Sequence, residues 1–200
     1  MTMIRSTSKS LLALTALASL SGCISFAAKP PPFLMTLTSA NTLPVNQTQS
    51  SSTSPTITIQ VPAVAQSLAG VRVPVQSSTT TIAYVANAQW VEPPSRMFAR
   101  LLSDTIPPRT GKIVLSSAQS FSDPGAVLSG ELRSFGVDAG TNMAVVAFDG
   151  SLIRSTGKVV EKRRFEVRVP VSKVEAGPVG AALNTAANQV AVEVADWVGR

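Results

Sequence analysis

The sequence predicts an α+β fold: a mixed, mainly antiparallel sheet with two helices packed on one face. Three observations support it. Period-two runs of apolar residues recur between residues 57 and 171, as half-buried strands require. Two proline-opened stretches follow the helical period instead. The order along the chain is strands, helix, several strands, helix, which suits two layers better than a run of βαβ units.

Taken in order, Ile57, Ile59 and Val61 alternate with Thr58 and Gln60, and Pro62 limits the strand. Residues 71–75 and 81–85 read as two more strands, the first at a sheet edge because Pro74 offers no backbone donor. Pro93 and Pro94 precede Met97, Phe98, Leu101 and Leu102, with Arg96, Arg100 and Asp104 between them. This is a proline-started amphipathic helix, expected to end at Pro107 and Pro108. Residues 112–118 form a strand, and Asp123, Pro124 and Gly125 a turn. From 127 to 138 the alternation slips: Leu128 and Leu132 share one face, Phe135 and Val137 the other. A bulge near Ser134 or Gly136 would bring all four into one core. Residues 143–153 are apolar on both faces, as in a central strand. Residues 159–171 restore the alternation, with Phe165, Val167, Val169 and Val171 inward and Arg164, Glu166 and Arg168 outward. The closing helix, 178–198, puts Leu183, Ala187, Val190, Val194 and Trp197 on one stripe, while Ala182, Ala186 and Ala191 let it lie close on a sheet. Trp90 and Trp197 read as core anchors, against the alternative of lining a lipid groove.

Composition excludes several function classes. The 200 residues include 17 Lys+Arg, 11 Asp+Glu, one Cys and no His. Without an imidazole, Ser-His and Cys-His nucleophile pairs and nearly all catalytic zinc sites are out of reach. Seven Phe, two Trp and one Tyr leave a base-stacking platform little to build with, despite a pI near 10.1. The usual hydrolases are therefore not expected, and the residues point to no cofactor, metal or nucleic-acid partner. Ser155-Thr156-Gly157-Lys158 has the Ser-x-x-Lys order, but Gly157 and strand-like flanks make it a hairpin turn, not the helical turn such chemistry needs. Gly111-Lys112 and Gly157-Lys158 lack the leading glycine and the following Ser/Thr of a phosphate loop. Asp123 and Asp138 read as turn or strand-end residues. In the densest charge run, Lys158, Lys162, Arg163, Arg164 and Arg168, alternation puts Lys162, Arg164 and Arg168 on one face with Glu166 among them. These three form the candidate partner-docking face, against the plainer reading of a solvated strand.

The amino terminus carries its own signals. Arg5 and Lys9 precede an apolar stretch over 11–20, too short to span a bilayer, which takes about 20 helical residues. The stretch ends in Leu20-Ser21-Gly22-Cys23, which is similar to a bacterial lipobox, so residues 1–22 read as a lipoprotein signal peptide and Cys23 as the site of lipid attachment. Two or three acyl chains, at roughly 0.8 kcal/mol per buried methylene, anchor stably. Cleavage before Cys23 removes Arg5 and Lys9 and lowers the charge from +6 to about +4, a mild balance suited to anionic lipid or an acidic partner. Residues 23–56 form the anchor and a mostly flexible tether, polar from Asn46 onward, with a candidate first strand at 33–38; residues 57–200 are the folded domain. Fully extended, residues 24–55 would reach on the order of 100 Å, and as a coil they would average about 30 Å.

The lipobox, Phe33-Leu34-Met35-Thr36-Leu37, Ile82-Ala83-Tyr84 and Gln89-Trp90-Val91-Glu92-Pro93 continue into Leu132-Arg133-Ser134-Phe135, Arg163-Arg164-Phe165, Ala186 and Asp196-Trp197-Val198. Together they resemble the ABC-type transport auxiliary lipoprotein family, which includes the paraquat-inducible lipoprotein and auxiliary components of mammalian-cell-entry (MCE) lipid transport systems. The resemblance implies a periplasm-facing lipoprotein without catalytic activity, partnered by an MCE-domain protein and an inner-membrane ABC permease and ATPase that move lipid between two membranes. Ile24, where retention in the inner membrane commonly uses aspartate, favours the periplasmic face of the outer membrane. Family analogy adds homo-oligomerisation as an expectation. Two other readings stay open: a periplasmic lipid carrier, and an outer-membrane lipoprotein that regulates a cell-wall enzyme.

Overall fold

In the computed structural model, residues 31–116, 118–121, 125–154 and 159–200 are described. The signal segment, Cys23, Asp123, Pro124 and the turn at 155–158 lie outside the described residues. The elements run β1 Thr56–Ile59, β2 Ala63–Val64, β3 Arg72–Gln76, β4 Ile82–Gln89, α1 Pro94–Thr110, β5 Ile113–Leu115, β6 Ala126–Asp138, β7 Met143–Ile153, β8 Val160–Pro170 and α2 Ala176–Val198. Short 3-10 turns occupy Gln66–Leu68 and Gln119–Phe121.

Strand β6 organises the sheet. One of its edges pairs antiparallel with β7 along its whole length, and β7 pairs antiparallel with β8 from Met143↔Pro170 to Ile153↔Val160. The opposite edge is shared in succession by three short parallel partners: β1 at Ala126 to Leu128, β2 at Glu131 and Leu132, and β3 at Val137 and Asp138. Beyond them, β5 extends β1 and β4 extends β3. The expected bulge is present: the β6–β7 register shifts between Leu132 and Ser134, so Arg133 is the extra residue. Leu128, Leu132, Phe135 and Val137 are all buried as a result.

Three local expectations are corrected. Pro74 is not on an edge strand, because β3 lies between β4 and β6. Its missing donor is accommodated because the β3–β4 ladder is irregular between Arg72 and Pro74, and β3 joins β6 only from Val75. Helix α1 does not stop at Pro107 and Pro108 but runs to Thr110. The donors they lack would have met Ser103 and Asp104, neither of which is buried, so water can serve those carbonyls. The stop is Gly111, left-handed at φ 69°, with its N–H donating to the Pro107 carbonyl over 2.9 Å. The strand expected over 112–118 is shortened to Ile113–Leu115, since residues 119–121 turn into a 3-10 segment.

Both helices cover one face of the sheet. A line of aromatic rings crosses that interface: Phe98 of α1 lies 5.4 Å from Phe148 of β7, Phe148 6.5 Å from Phe165 of β8, and Phe165 5.5 Å from Trp197 of α2. Gly150 makes room beneath it, because a Cβ there would sit 3.1 Å from Phe148 and 3.2 Å from Trp197. On α2, Ala182, Ala186, Ala187, Val190 and Ala191 are all buried, so the helix backbone lies near the sheet and near α1. Arg109 of α1 grips Asp196 of α2 at 2.7 and 3.0 Å, tying the helix ends together.

The segment after residue 34 is strapped to the domain. Met35 is buried; its N–H donates to the Gln89 carbonyl (2.8 Å), and its carbonyl accepts from Val91 (2.9 Å). Farther on, the Thr38 N–H donates to Asn184 Oδ1 (2.9 Å), and the Ala40 N–H to Asn188 Oδ1 (2.8 Å), while Asn188 Nδ2 donates back to the Thr38 carbonyl (2.9 Å).

Trp197→Ala should cost about 3–5 kcal/mol by leaving a cavity. Gly150→Leu should cost about 1–3 kcal/mol by overpacking the same rings. Urea unfolding followed by far-UV circular dichroism checks both. Asn188→Ala should raise proteolytic cleavage within residues 36–42 while lowering the urea midpoint little, because it releases the strap and leaves the core intact.

Candidate functional site

The sheet face opposite the helices carries no helix among the described residues. Pleating brings Lys162, Arg164, Glu166 and Arg168 of β8 to it, level with Ser151, Asp149, Ala147 and Val145 of β7. The sequence-predicted stripe is thus assembled on one face, but it is not a free positive stripe. Arg164 holds Asp149 through two hydrogen bonds, Nε to Oδ1 at 2.6 Å and a terminal nitrogen to Oδ2 at 2.7 Å. Arg168 donates to Glu166 at 2.8 Å and to Asp138 at 3.3 Å. The bulged Arg133 adds a third cation, 3.0 Å from Glu131 and 3.8 Å from Asp149. Four cations, Arg133, Lys162, Arg164 and Arg168, are therefore matched by four carboxylates, Glu131, Asp138, Asp149 and Glu166. Lys162 is the cation of this group without an ion-pair partner among the described residues.

The charges respond accordingly. The hydrogen bond from Arg164 holds the Asp149 carboxyl below the usual value of 3.8 against a smaller opposing effect of burial. The Asp138 carboxyl is also lowered, first by a hydrogen bond from the Thr141 side chain and further by Gly140, the Thr141 backbone and Arg168. Glu166 and Asp149, in turn, push the Arg168 and Arg164 guanidiniums further toward the charged state. Beneath the arginine stems, Val145 and Ala147 are buried although they belong to this open face. Beside them the bulge opens a cleft of about 210 Å³ where Leu68, Pro74 and Ile82 meet Arg133, Asp138 and Arg168.

Sequence reading missed Asp138, Asp149 and Arg133 as members of this face. Asp149 lies fifteen positions before Arg164, and only the β7–β8 register places them side by side. Arg133 and its neighbour Glu131 reach the face by the same alternation that turns Leu132 inward, and the insertion at Arg133 reverses the phase after it. The other singled-out motifs lead elsewhere: Gly111 is a helix cap, and the 155–158 turn and Cys23 are outside the described residues. Among the described residues no three His, Cys, Asp or Glu side chains gather as metal ligands, and no helix is long and apolar enough to cross a membrane.

Fold and face together define a small two-layer α+β domain that presents a charge-matched sheet surface. The chain belongs to the ABC-type transport auxiliary lipoprotein component family, whose model matches residues 36–195. Its fold is similar to the crystal structure of a DUF330-family protein from Xanthomonas campestris, with a TM-score of 0.65 at 20% identity over 83% of this chain and 94% of that one. It is similar also to the crystal structure of an uncharacterized protein, with a TM-score of 0.61 at 16% identity over 83% of this chain and 99% of that one. No curated protein matches the chain.

The Asp149 linkage has a definite sign. A carboxyl whose folded value is lowered contributes stability above its unfolded value near 3.8, and that contribution is lost as pH falls through the lower folded value. Asp149→Asn should therefore lower stability at neutral pH by no more than about 1 kcal/mol, given solvent screening, and have no effect once the medium is well below the lowered folded value. Urea midpoints of the two proteins across that range check this.

Proposed function

We propose that this chain is a membrane-anchored periplasmic lipoprotein acting as a non-catalytic auxiliary subunit of an MCE-type ABC system that transports lipid between two membranes. The observation that carries the reading is the family match over 36–195. The lipobox ending at Cys23 and the absence of histidine agree with a subunit whose work is placement, with the ATPase partner supplying the energy. Ile24 favours the outer membrane as the site of anchorage.

Because Met35 is held by the domain, the chain between Cys23 and residue 34 can span at most about 40 Å. The domain stays near the membrane that anchors it and meets an MCE-domain partner there. The Lys162, Arg164 and Arg168 face is the docking surface in this reading. Its alternating charges suit selection of one complementary partner over others better than general adhesion to an anionic surface. The close packing of α2 on the sheet favours docking over lipid carriage, since the alanines fill the layer where an acyl chain would lie.

Cys23→Ser should move the protein from the membrane to the soluble periplasmic fraction nearly completely, as fractionation and immunoblotting would read. Reversing Lys162, Arg164 and Arg168 to glutamate should cut copurification with the MCE-domain protein at least about tenfold while the circular dichroism spectrum is kept. Unchanged copurification removes this face. Stoichiometric lipid in a native mass spectrum of the chain lacking Cys23 would favour the carrier reading.

A further inference from the structure

Several apolar side chains that the core does not take up lie at one end of the domain. Phe33 and Leu34 are each 52% exposed, Val91 49% and Val174 40%. The strap shows that they share that end. Thr38 and Ala40, two residues apart, bond to Asn184 and Asn188, four residues apart on α2. An extended chain rises about 3.3 Å per residue and a helix about 1.5 Å, so the strap runs alongside α2 in the same direction at a matched rate. Traced backward, Met35 lies against Gly180, where a Cβ would sit 2.8 Å from its sulfur. By the same matched rise, residues 34 and 33 lie before Gly180, toward the start of α2, which begins at Ala176, two residues after Val174. Val91 is hydrogen-bonded to Met35 itself. Charged residues accompany the group: exposed Lys173 beside Val174, 4.0 Å from Glu175, exposed Arg96 in the first turns of α1, and Glu92 beside Val91, paired with Arg100.

We infer that this end, with Phe33, Leu34, Val91 and Val174 at its tip, rests in the headgroup region of the bilayer that holds Cys23. The inference depends on the anchor reading above. The occupant follows from the chain: these residues begin ten positions after Cys23, so a lipidated cysteine cannot let them stand more than about 35 Å from the bilayer. At that effective concentration weak contacts suffice, and exposed apolar side chains ringed by long charged ones can settle at a lipid interface, the apolar group rather than net charge supplying the contact. The contact turns a loose tether into a defined orientation: the strap and the first turns of both helices face the membrane, and the loop carrying Val45 points away from it, because its neighbours Leu43 and Pro44 lie against Pro107, Pro108 and Gly111 at the far end of α1.

The test uses the full lipidated chain, reconstituted into vesicles of phosphatidylethanolamine and phosphatidylglycerol. With Cys23 acylated, Phe33→Cys, Val174→Cys and Val45→Cys each supply one free thiol for a polarity-sensitive fluorophore, and nitroxide-labelled lipids serve as quenchers. Quenching should be several-fold stronger at positions 33 and 174 than at 45. In a chain also carrying Phe33→Asp and Leu34→Asp, quenching at 174 should fall to the level of 45. Equal quenching at 33 and 45, or quenching at 174 that survives the aspartates, overturns the inference while a lipid mass on Cys23 leaves the anchor reading standing. A mass showing unmodified Cys23 removes the anchor and this orientation with it.

Discussion

The bulge at Arg133 is the constraint on which the rest of the structure depends. In a regular strand, Leu128 and Leu132 would face one layer and Phe135 and Val137 the other, so no single core could hold all four. One inserted residue reverses the phase, and all four become buried. Each such side chain is worth about 1.5–3 kcal/mol when buried, so losing one pair to solvent would remove about 3–6 kcal/mol, a large part of the net stability of a domain. The inserted residue, Arg133, lies on the outer face against Glu131 and Asp149, beside the cleft. A feature needed for the core thus also shapes the surface.

The two faces of the sheet have different tasks. The inner one is covered by a line of rings from Phe98 to Trp197 and by the small residues of α2, which let the helix lie close on the sheet. The outer one is polar, open and charge-matched. Exposed ion pairs contribute about 0–1 kcal/mol each, so the network of Arg133, Arg164 and Arg168 matters little for stability. Under the proposed docking role its value would lie in which surfaces it accepts. The strap adds a third task, since it fixes where the chain leaves the domain toward Cys23.

Much of this was legible in the residues. The α2 stripe from Leu183 to Trp197, the doubly apolar β7 and the need for a bulge in β6 all follow from hydrophobic periodicity, because burial of a helix face or strand face leaves that imprint whatever the partner. The errors fall where a local rule met a tertiary exception. Pro107 and Pro108 stop most helices, but near the open side of a last turn their lost hydrogen bonds cost little. Pro74 suggests an edge, yet the ladder is irregular beside it and its other partner begins one residue later. The three cations of β8 were placed correctly on one face, but their neutralisation was not visible.

By itself the sequence determined the α+β class, the elements and their inward faces, and the exclusion of imidazole chemistry, because these depend on residues close together in the chain or on composition alone. Only the tertiary structure decided that Asp149 lies under Arg164, that Asp138 and Glu166 share Arg168, that three short strands divide one edge of β6, and that residues 35–40 are held by Gln89, Val91, Asn184 and Asn188. These pairings join residues far apart in sequence, through strand register and helix placement. Many registers satisfy the same alternation of apolar and polar residues, and only the packed core selects one of them.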